Sequence, residues 1–473
     1  MASNSPSTTT LDDGDLVKRP HEPETLQPAL VLAWSESEPN RVGEVLLVER
    51  EPAYFGRISE RIEPRLSFVR QRPRFSERAA ALTNPFLSRR QLKLSWVDDE
   101  AISMECLGKR ALVIGGTEVP QALVQPGDVI ELRGLYLFVC VLRPRRLESC
   151  ATVASFGQPD ENGVVGESRA CWELRRQIAF AAERAAHVLI SGASGTGKEL
   201  VARGIHAGST RRDHELVARN AATLPSGLID AELFGNIANY PNVGMPERPG
   251  LIGQANGSTL FLDEIGELGP ELQAHLLRVL DAGEYQRLGD ARSRMVDLRL
   301  VAATNRPIAQ LKHDLAARLT LRVDIPGLDD RIEDVPLLAR HIVQRIAQKD
   351  ISIGQRFLRH WNGRTGEPRF EVDLIRSLLL TRYTAHVRQL EALLWRSLQT
   401  SQGDVLELTR EMRAELPPRP SRPGREIGLE ELTESLKRHG GVRDKVWREL
   451  GLSSRHALHR LMKKLGVDNQ AEG

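Results

Sequence analysis

Cysteine is scarce in this chain: four residues in 473, at Cys106, Cys140, Cys150 and Cys171. Their scattered spacing fits neither a metal-ligand pattern nor a disulfide-stapled domain, so reduced structural thiols are expected. Long apolar runs are missing too. No stretch approaches the roughly 18 residues a membrane span needs, and the first 26 residues, rich in Ser, Thr, Pro and Asp, lack the basic start and apolar stretch of a secretory signal. They read as a disordered lead-in to a soluble, cytoplasmic protein without a membrane partner. Net charge is also nearly absent, at +2 from 65 basic and 63 acidic residues. That excludes a global attraction to nucleic acid, so any DNA contact must come from a local patch. What remains is ordinary globular composition, 41% hydrophobic and 27% charged, over a length that suggests about three domains.

The most informative stretch is HVLISGASGTGKELVARGIH, His187 to His206. A short apolar run stops at Gly192, and a glycine-rich loop (Gly192, Ala193, Ser194, Gly195, Thr196, Gly197) leads to Lys198 and a helix-compatible segment. Glycines let backbone N–H groups approach phosphate oxygens, the helix N-terminus adds partial positive charge, and Lys198 can reach the outer phosphates. The spacing G-x-x-x-x-G-K is met, but Glu199 stands where the general pattern has a magnesium-binding Ser or Thr. About 65 residues on, the apolar run Thr259 to Leu262 ends in Asp263 and Glu264. Carboxylates at the C-terminal end of an open α/β strand sit where ligands bind; Asp263 can hold Mg2+ and Glu264 can orient or deprotonate water. In the next helix Leu272, Leu276, Val279 and Leu280 share one face and read as core. A further buried strand ends at Thr304-Asn305, a polar edge able to sense the outer phosphate.

Upstream, ALVLAW, GEVLLVER, RQLKLSWV, AISMECLG, ALVIGG, DVIELRG and LYLFVCVL are short β-like runs between turn signals, which predicts an all-β sandwich over 27–145. Residues 146–161, polar and broken by Pro and Gly, read as a linker. Downstream, residues 405–425 form a Pro-rich linker ending in LPPRPSRPGR. Beyond it Leu429, Leu432 and Leu436 share one helical face, Val442, Val446 and Leu450 another, and Leu458, Leu461, Met462 and Leu465 a third. The last helix leaves Arg455, His456, His459, Arg460, Lys463 and Lys464 outward. Helices joined by a Gly-containing turn, the last basic on its free face, fit an all-α helix-turn-helix DNA-binding domain over 426–473, with Ser454, Arg455 and His459 as candidates for base edges.

Three resemblances organise these readings. Gly56-Arg57, Ser88-Arg89 and ALVIGG followed by LVQPGDVIEL look like a forkhead-associated domain, which implies a phosphothreonine-protein partner held by Arg57, Ser88 and Arg89. In this chain Gln91 stands at that family's structural His, and Arg110 and Gly115 at its two Asn. GASGTGKELVARGIH, ARNAATL, AELFG, GSTLFLDEIGEL, LRLVAATNRP and RIEDVPLLARH, in this order, resemble the AAA+ P-loop NTPase domain of sigma-54 activators, with an α/β part over 162–330 and a helical lid over 331–404. Glu after the loop lysine is normal there. The resemblance implies ATP with Mg2+ as cofactors, Lys198 on the phosphates, Asp263 and Glu264 as the metal and water pair, Asn220 restraining Glu264, and Asn305 as first sensor. It also implies Arg318 acting on a neighbouring subunit, with Lys312 in the place of a second such arginine, and Arg388 as the lid sensor. An arginine reaching a neighbour implies a homo-oligomeric ring. Finally, HGGVRDKVWRELGLSSRHALHRLMKKLGV resembles the Fis-type domain that ends most sigma-54 activators.

One departure matters for output. Where that family carries Gly-Ala-Phe-Thr-Gly-Ala to touch sigma-54, this chain reads NYPNVG, Asn239 to Gly244, with Pro241 and Asn242 at the Phe and Thr positions. Family-standard remodelling of RNA polymerase with sigma-54 is therefore not expected. Three functions stay open at this point: an ATPase that regulates transcription on DNA, a nucleotide-gated repressor or co-regulator, and a phosphoprotein-docking adapter.

Overall fold

Alternating buried apolar side chains draw the N-terminal third into two antiparallel sheets. The computed structural model describes residues 26–57, 65–73, 76–98, 101–150, 154–224, 228–416 and 429–439, with 446, 458, 461, 462, 465 and 467. Among the described residues twelve strands form this part: β1 (Leu26–Ser35), β2 (Val45–Leu47), β3 (Ala53–Phe55), β4 (Phe68–Gln71), β5 (Ser76–Arg78), β6 (Leu92–Asp98), β7 (Ala101–Cys106), β8 (Leu112–Ile114), β9 (Thr117–Val119), β10 (Gln121–Val124), β11 (Val129–Leu132) and β12 (Tyr136–Pro144). One sheet runs β5-β4-β2-β1-β12-β11-β8-β9 and the other β10-β7-β6-β3. Their inner faces enclose Leu30, Leu32, Leu46, Leu92, Leu94, Met104, Ile130 and a set of aromatic rings, in which Phe55 meets Phe68 and Phe138 edge-on. The long segment before Ser88 holds two strands that hydropathy does not reveal. β4 and β5 pair as a hairpin and extend the larger sheet at its edge, with Phe68 alone of the pair deep in the core.

The central region alternates strand and helix: α1 (Arg169–Ala182), β13 (Val188–Ser191), α2 (Lys198–Ala207), β14 (Val217–Asn220), α3 (Ile229–Phe234), α4 (Gly250–Gln254), β15 (Thr259–Asp263), α5 (Pro270–Ala282), β16 (Glu284–Tyr285), β17 (Arg294–Met295), β18 (Arg299–Thr304), α6 (His313–Arg318) and β19 (Leu321–Asp324). Five of the strands form one parallel sheet, β14-β15-β18-β13-β19. Its three central strands, β13, β15 and β18, are buried nearly throughout rather than alternating, whereas the edge strands β14 and β19 carry exposed Arg219, Arg322 and Asp324. In α5, Leu272, Leu276 and Val279 are buried and Leu280 packs partly against them. A helical lid follows, with α7 (Val335–Lys349), α8 (Ile351–Phe357), the short pair β20 (Leu358–Arg359) and β21 (Glu367–Pro368), α9 (Val372–Leu379) and α10 (His386–Thr400); α11 (Arg410–Glu415) lies in the segment that reads as a Pro-rich linker, where Leu406 and Met412 are nonetheless buried.

The described residues up to 379, with 383–414, form one compact unit, in which the sandwich, the α/β part and the lid share contacts; 380–382 and the described residues from 415 onward form a second. Polar side chains make the junction in the first unit. Buried Asp334 accepts from the N–H groups of Glu167 and Ser168 at 2.8 and 2.9 Å and from the Ser168 hydroxyl at 2.5 Å. Arg143 of β12, fully buried, donates to the Glu167 carbonyl at 2.8 Å and lies 3.6 Å from the Glu333 carboxylate. Arg72 reaches the Glu167 carboxylate at 2.9 Å, and Trp172 donates to the same group at 3.2 Å. The sandwich also touches the lid: Trp34 Nε1 donates to the Phe370 carbonyl at 2.8 Å, Glu131 pairs with Arg376, and Arg359 donates to the Glu36 carbonyl at 2.9 Å. The polar segment read as a linker is thus anchored where it is described: the Gly157 N–H donates to Glu167, Arg175 binds Asp160 at 2.8 Å, and Phe156 lies under Arg70 and Arg72.

In the second unit, α12 (Leu429–Arg438) contributes Leu432 to a small core with Val446, Leu458 and Met462, flanked by Leu436, Leu461 and Leu465. All are positions assigned inward by helical spacing. The outward candidates Ser454, Arg455, His456, His459, Arg460 and Lys463 lie outside the described residues. Among the described residues no helix is long and apolar enough to cross a membrane.

Candidate functional site

Parallel strands bring their C-terminal ends to one edge, and that edge collects the polar residues. Register places Ser191 beside Thr304 and Asp324, and Asn220 beside Asp263. From Ser191 the chain turns through the phosphate-loop sequence, with Gly195 at φ 82° and Gly197 at φ 102°, conformations that only glycine adopts freely. Gly197 caps α2, whose first residue is Lys198. Thr196 is buried and donates to the Ala193 carbonyl at 2.8 Å, which tightens the loop; Ala193 and Ser194 are exposed at its rim.

Lys198 is only 6% exposed. Its ammonium lies 3.2 Å from the Gly192 carbonyl and 3.6 Å from Glu264 Oε1, so the charge is held at the loop mouth facing the carboxylate. Glu264 itself sits at φ 54°, a left-handed conformation uncommon for a non-glycine residue, and its N–H donates to the Asp263 carboxylate at 3.0 Å. Asn220 adjoins this pair in the sheet, but its side-chain oxygen accepts from the Ala222 N–H at 2.8 Å and caps a short 3-10 turn. Asn305 is exposed just after β18. Glu199 points along the helix surface to Arg203 at 2.7 Å, away from the cradle. Asp263, half-buried at the end of β15 beside Asn220, is a carboxylate that could hold a cation at this edge.

The lid completes the site. Arg388, in the first turn of α10, donates to the Ser194 hydroxyl at 3.2 Å, and the Val387 N–H donates to the Gly195 carbonyl at 3.1 Å. A Cβ at Gly195 would lie 2.3 Å from the Ala385 carbonyl oxygen, so the lid turn packs directly on the loop. Gln389, which periodicity does not single out, shapes that turn by accepting from the Thr384 and Ala385 N–H groups at 2.8 and 3.2 Å. Arg318 lies apart, at the end of α6, ion-paired with Asp281 at the end of α5. Lys312 is exposed at the start of the same helix.

The loop at Asn239–Gly244 is a built protrusion. Asn236, 1% exposed, closes its neck by donating to the carbonyls of Ile237 and Pro246 at 2.9 and 3.0 Å. Tyr240 packs over Gly289 of the β16–β17 hairpin, while Val243 at the tip is 95% exposed.

Residues 164–325 match the family described as the Sigma-54 interaction domain. The chain is 34% identical over 314 residues to the transcriptional regulatory protein ZraR of Escherichia coli (strain K12), covering 63% of this chain and 68% of ZraR. The chain belongs to the sigma-54 activator family. Its central part is accordingly an AAA+ P-loop NTPase fold. To the Nif-specific regulatory protein of Azotobacter vinelandii this family member is 36% identical over 322 residues, 64% of its own length and 58% of the relative's. A crystal structure of NtrX from Brucella abortus in complex with ATP is 31% identical, with a TM-score of 0.46 over 64% of this chain and 69% of that one.

At the sandwich end, the Arg57 N–H donates to the Ser88 carbonyl at 3.0 Å, and the Ser88 hydroxyl accepts from the Lys109 N–H at 3.0 Å. A Cβ at Gly56 would meet the Ser88 and Arg89 carbonyl oxygens at 2.5 and 2.4 Å, which explains the glycine before Arg57. Fully buried Gln91 spans the two loops: its Nε2 donates to the Arg110 carbonyl at 2.8 Å, and its Oε1 accepts from the Ser88 N–H at 3.4 Å. Arg57, Ser88 and exposed Arg89 thus share one loop cluster with Lys109 and Arg110, the latter stacked over Phe86.

Proposed function

We propose that this protein is an ATP-binding, DNA-binding transcription regulator of the sigma-54 activator family whose output contact has diverged. The observation that carries the nucleotide reading is the buried Lys198, held between the phosphate loop and Glu264 under a lid arginine that bonds Ser194. In this reading the loop N–H groups and Lys198 hold the phosphates, Asp263 and the phosphates hold magnesium, and Arg388 closes the lid on the nucleotide. Magnesium, when bound, neutralises charge on the phosphate oxygens. Glu264 orients or deprotonates water once Lys198 turns to the phosphates, with Asn220 and Asn305 at the adjoining strand ends. Arg318 reaches the neighbour's nucleotide in a homo-oligomeric ring, which requires it to leave Asp281.

The domain plan assigns 27–145 to a forkhead-associated-like sandwich, 162–330 and 331–404 to the ATPase and its lid, and 426–473 to DNA. Support for phosphothreonine recognition is that Arg57 and Ser88 share one loop cluster, tied by the Arg57 N–H to the Ser88 carbonyl and by the Lys109 N–H to the Ser88 hydroxyl. Support for a changed output is Pro241 and Asn242 at the family's Phe and Thr positions. The same observation favours a second reading, a nucleotide-gated repressor or co-regulator that binds DNA and ATP without remodelling sigma-54 polymerase.

ATP turnover measured across protein concentration, with Glu264→Gln as control, tests the first reading. A rate per subunit that rises with assembly and vanishes in the variant is expected; binding without turnover selects the second reading. No binding, in wild type and Lys198→Ala alike, refutes both. Open-complex formation on a sigma-54 promoter would refute the changed output. Phosphothreonine peptides that bind Arg57→Ala as well as wild type would remove the sensing role.

A further inference from the structure

The turn before α10 touches two places at once. On one side Val387 and Arg388 bond the phosphate loop at Gly195 and Ser194. On the other, His386 Nδ1 accepts from the Leu328 N–H at 3.1 Å, in the segment that leads from the α/β part into the lid. The fit there is close: a Cβ at Gly327 would lie 2.8 Å from His386 Cε1, so the ring needs a glycine opposite it. His386 holds φ 46°, a left-handed conformation that His and Asn tolerate better than most residues. Asp329 reinforces the same join through the Tyr383 N–H at 3.3 Å.

We infer that His386 is a positioning residue for the nucleotide site: its bond to Leu328 fixes the entry to the lid relative to the turn that places Arg388 on the phosphate loop. The inference rests on the nucleotide reading above and adds to it a determinant of lid closure that no phosphate touches. Only a ring unprotonated at Nδ1 can accept from Leu328. Burial lowers the His386 pKa and favours that form, helped by Arg331 and opposed by Asp329 and Asp330.

The test uses the full chain with three substitutions, ADP binding by calorimetry, steady-state ATP turnover, and amide exchange at Leu328. His386→Ala should weaken ADP binding about 3- to 10-fold, the span expected from one net hydrogen bond, and raise KM for ATP similarly while kcat changes less than about 2-fold. His386→Asn, which supplies a carbonyl acceptor and tolerates the left-handed backbone, should restore both values. Leu328 should exchange faster in His386→Ala and not in His386→Asn. Combining His386→Ala with Arg388→Ala should cost less than the sum of the two, because both act through one closure. Additive losses, an Asn variant as weak as the Ala variant, or unchanged ADP binding beside faster Leu328 exchange would each overturn the inference. If the unsubstituted chain binds no ADP, the nucleotide reading falls and this inference with it; normal binding indifferent to His386 sinks this inference alone.

Discussion

Replacing Glu333 by glutamine isolates the proton economy of the junction between sandwich and lid. The Glu333 carboxyl is 8% exposed, lies 3.6 Å from the buried Arg143 guanidinium, and precedes Asp334, the fully buried acceptor that ties down Glu167 and Ser168. Burial pushes its pKa from 4.5 up to about 7, with Arg143 pulling it down and Asp334 pushing it further up. The raised value fixes the sign. In the folded chain the carboxyl keeps its proton where the unfolded chain has released it, so the favourable contribution is complete below about pH 4.5 and is lost as pH rises through about 7. The gap between those values corresponds to roughly 3 kcal/mol, of which roughly 2.5 kcal/mol is lost between about pH 5 and about pH 8. The amide introduced by Glu333→Gln cannot titrate, so the urea stability of wild type should fall relative to the variant by about that amount over this range. Tryptophan fluorescence is a suitable readout, since Trp34 and Trp172 both bond across this region. Parallel pH curves for the two proteins would show that Glu333 is charged throughout and that Arg143 outweighs burial.

Three further outcomes follow from the same geometry. Gly195→Ala places a Cβ on a residue at φ 82° and 2.3 Å from the Ala385 carbonyl oxygen, so ADP affinity should drop at least about 10-fold with the fold intact by circular dichroism. Asp334→Ala strands three donors in a buried junction and should destabilise the first unit by about 3 kcal/mol or more in chemical unfolding. Gln91→Ala unties the Ser88 loop from the Arg110 carbonyl; capture of a phosphothreonine peptide should weaken, and the unfolding midpoint should fall by the equivalent of about 1–3 kcal/mol.

Local chemistry makes part of this protein legible. The glycines and lysine of the phosphate loop, the apolar run ending in Asp263, and the inward face of α5 all announce themselves through spacing, because backbone geometry fixes which residue types fit. The inward positions of the last domain, Leu432, Val446, Leu458 and Met462, are legible for the same reason. Polar joins are not. The segment around Asp160 and Gly157 reads as a linker because its anchors are Arg175 and Glu167, paired side chains that leave no hydropathic period. The β4–β5 hairpin escapes notice because it is short and only Phe68 reaches the core. Asn220, which the family resemblance assigns to Glu264, also caps the turn at Ala222 through its side-chain oxygen, a local bond that spacing alone does not express.

The way the sandwich is fastened has a practical meaning for fragments of this chain. Cutting before residue 162 to obtain the AAA+ part alone would strip Arg376 of Glu131, the Phe370 carbonyl of Trp34, and Glu333 of Arg143. Such a fragment would display a freshly exposed apolar and ionic face on its lid, prone to self-association. Its oligomers would then report the scar left by the missing domain rather than the assembly of the intact protein.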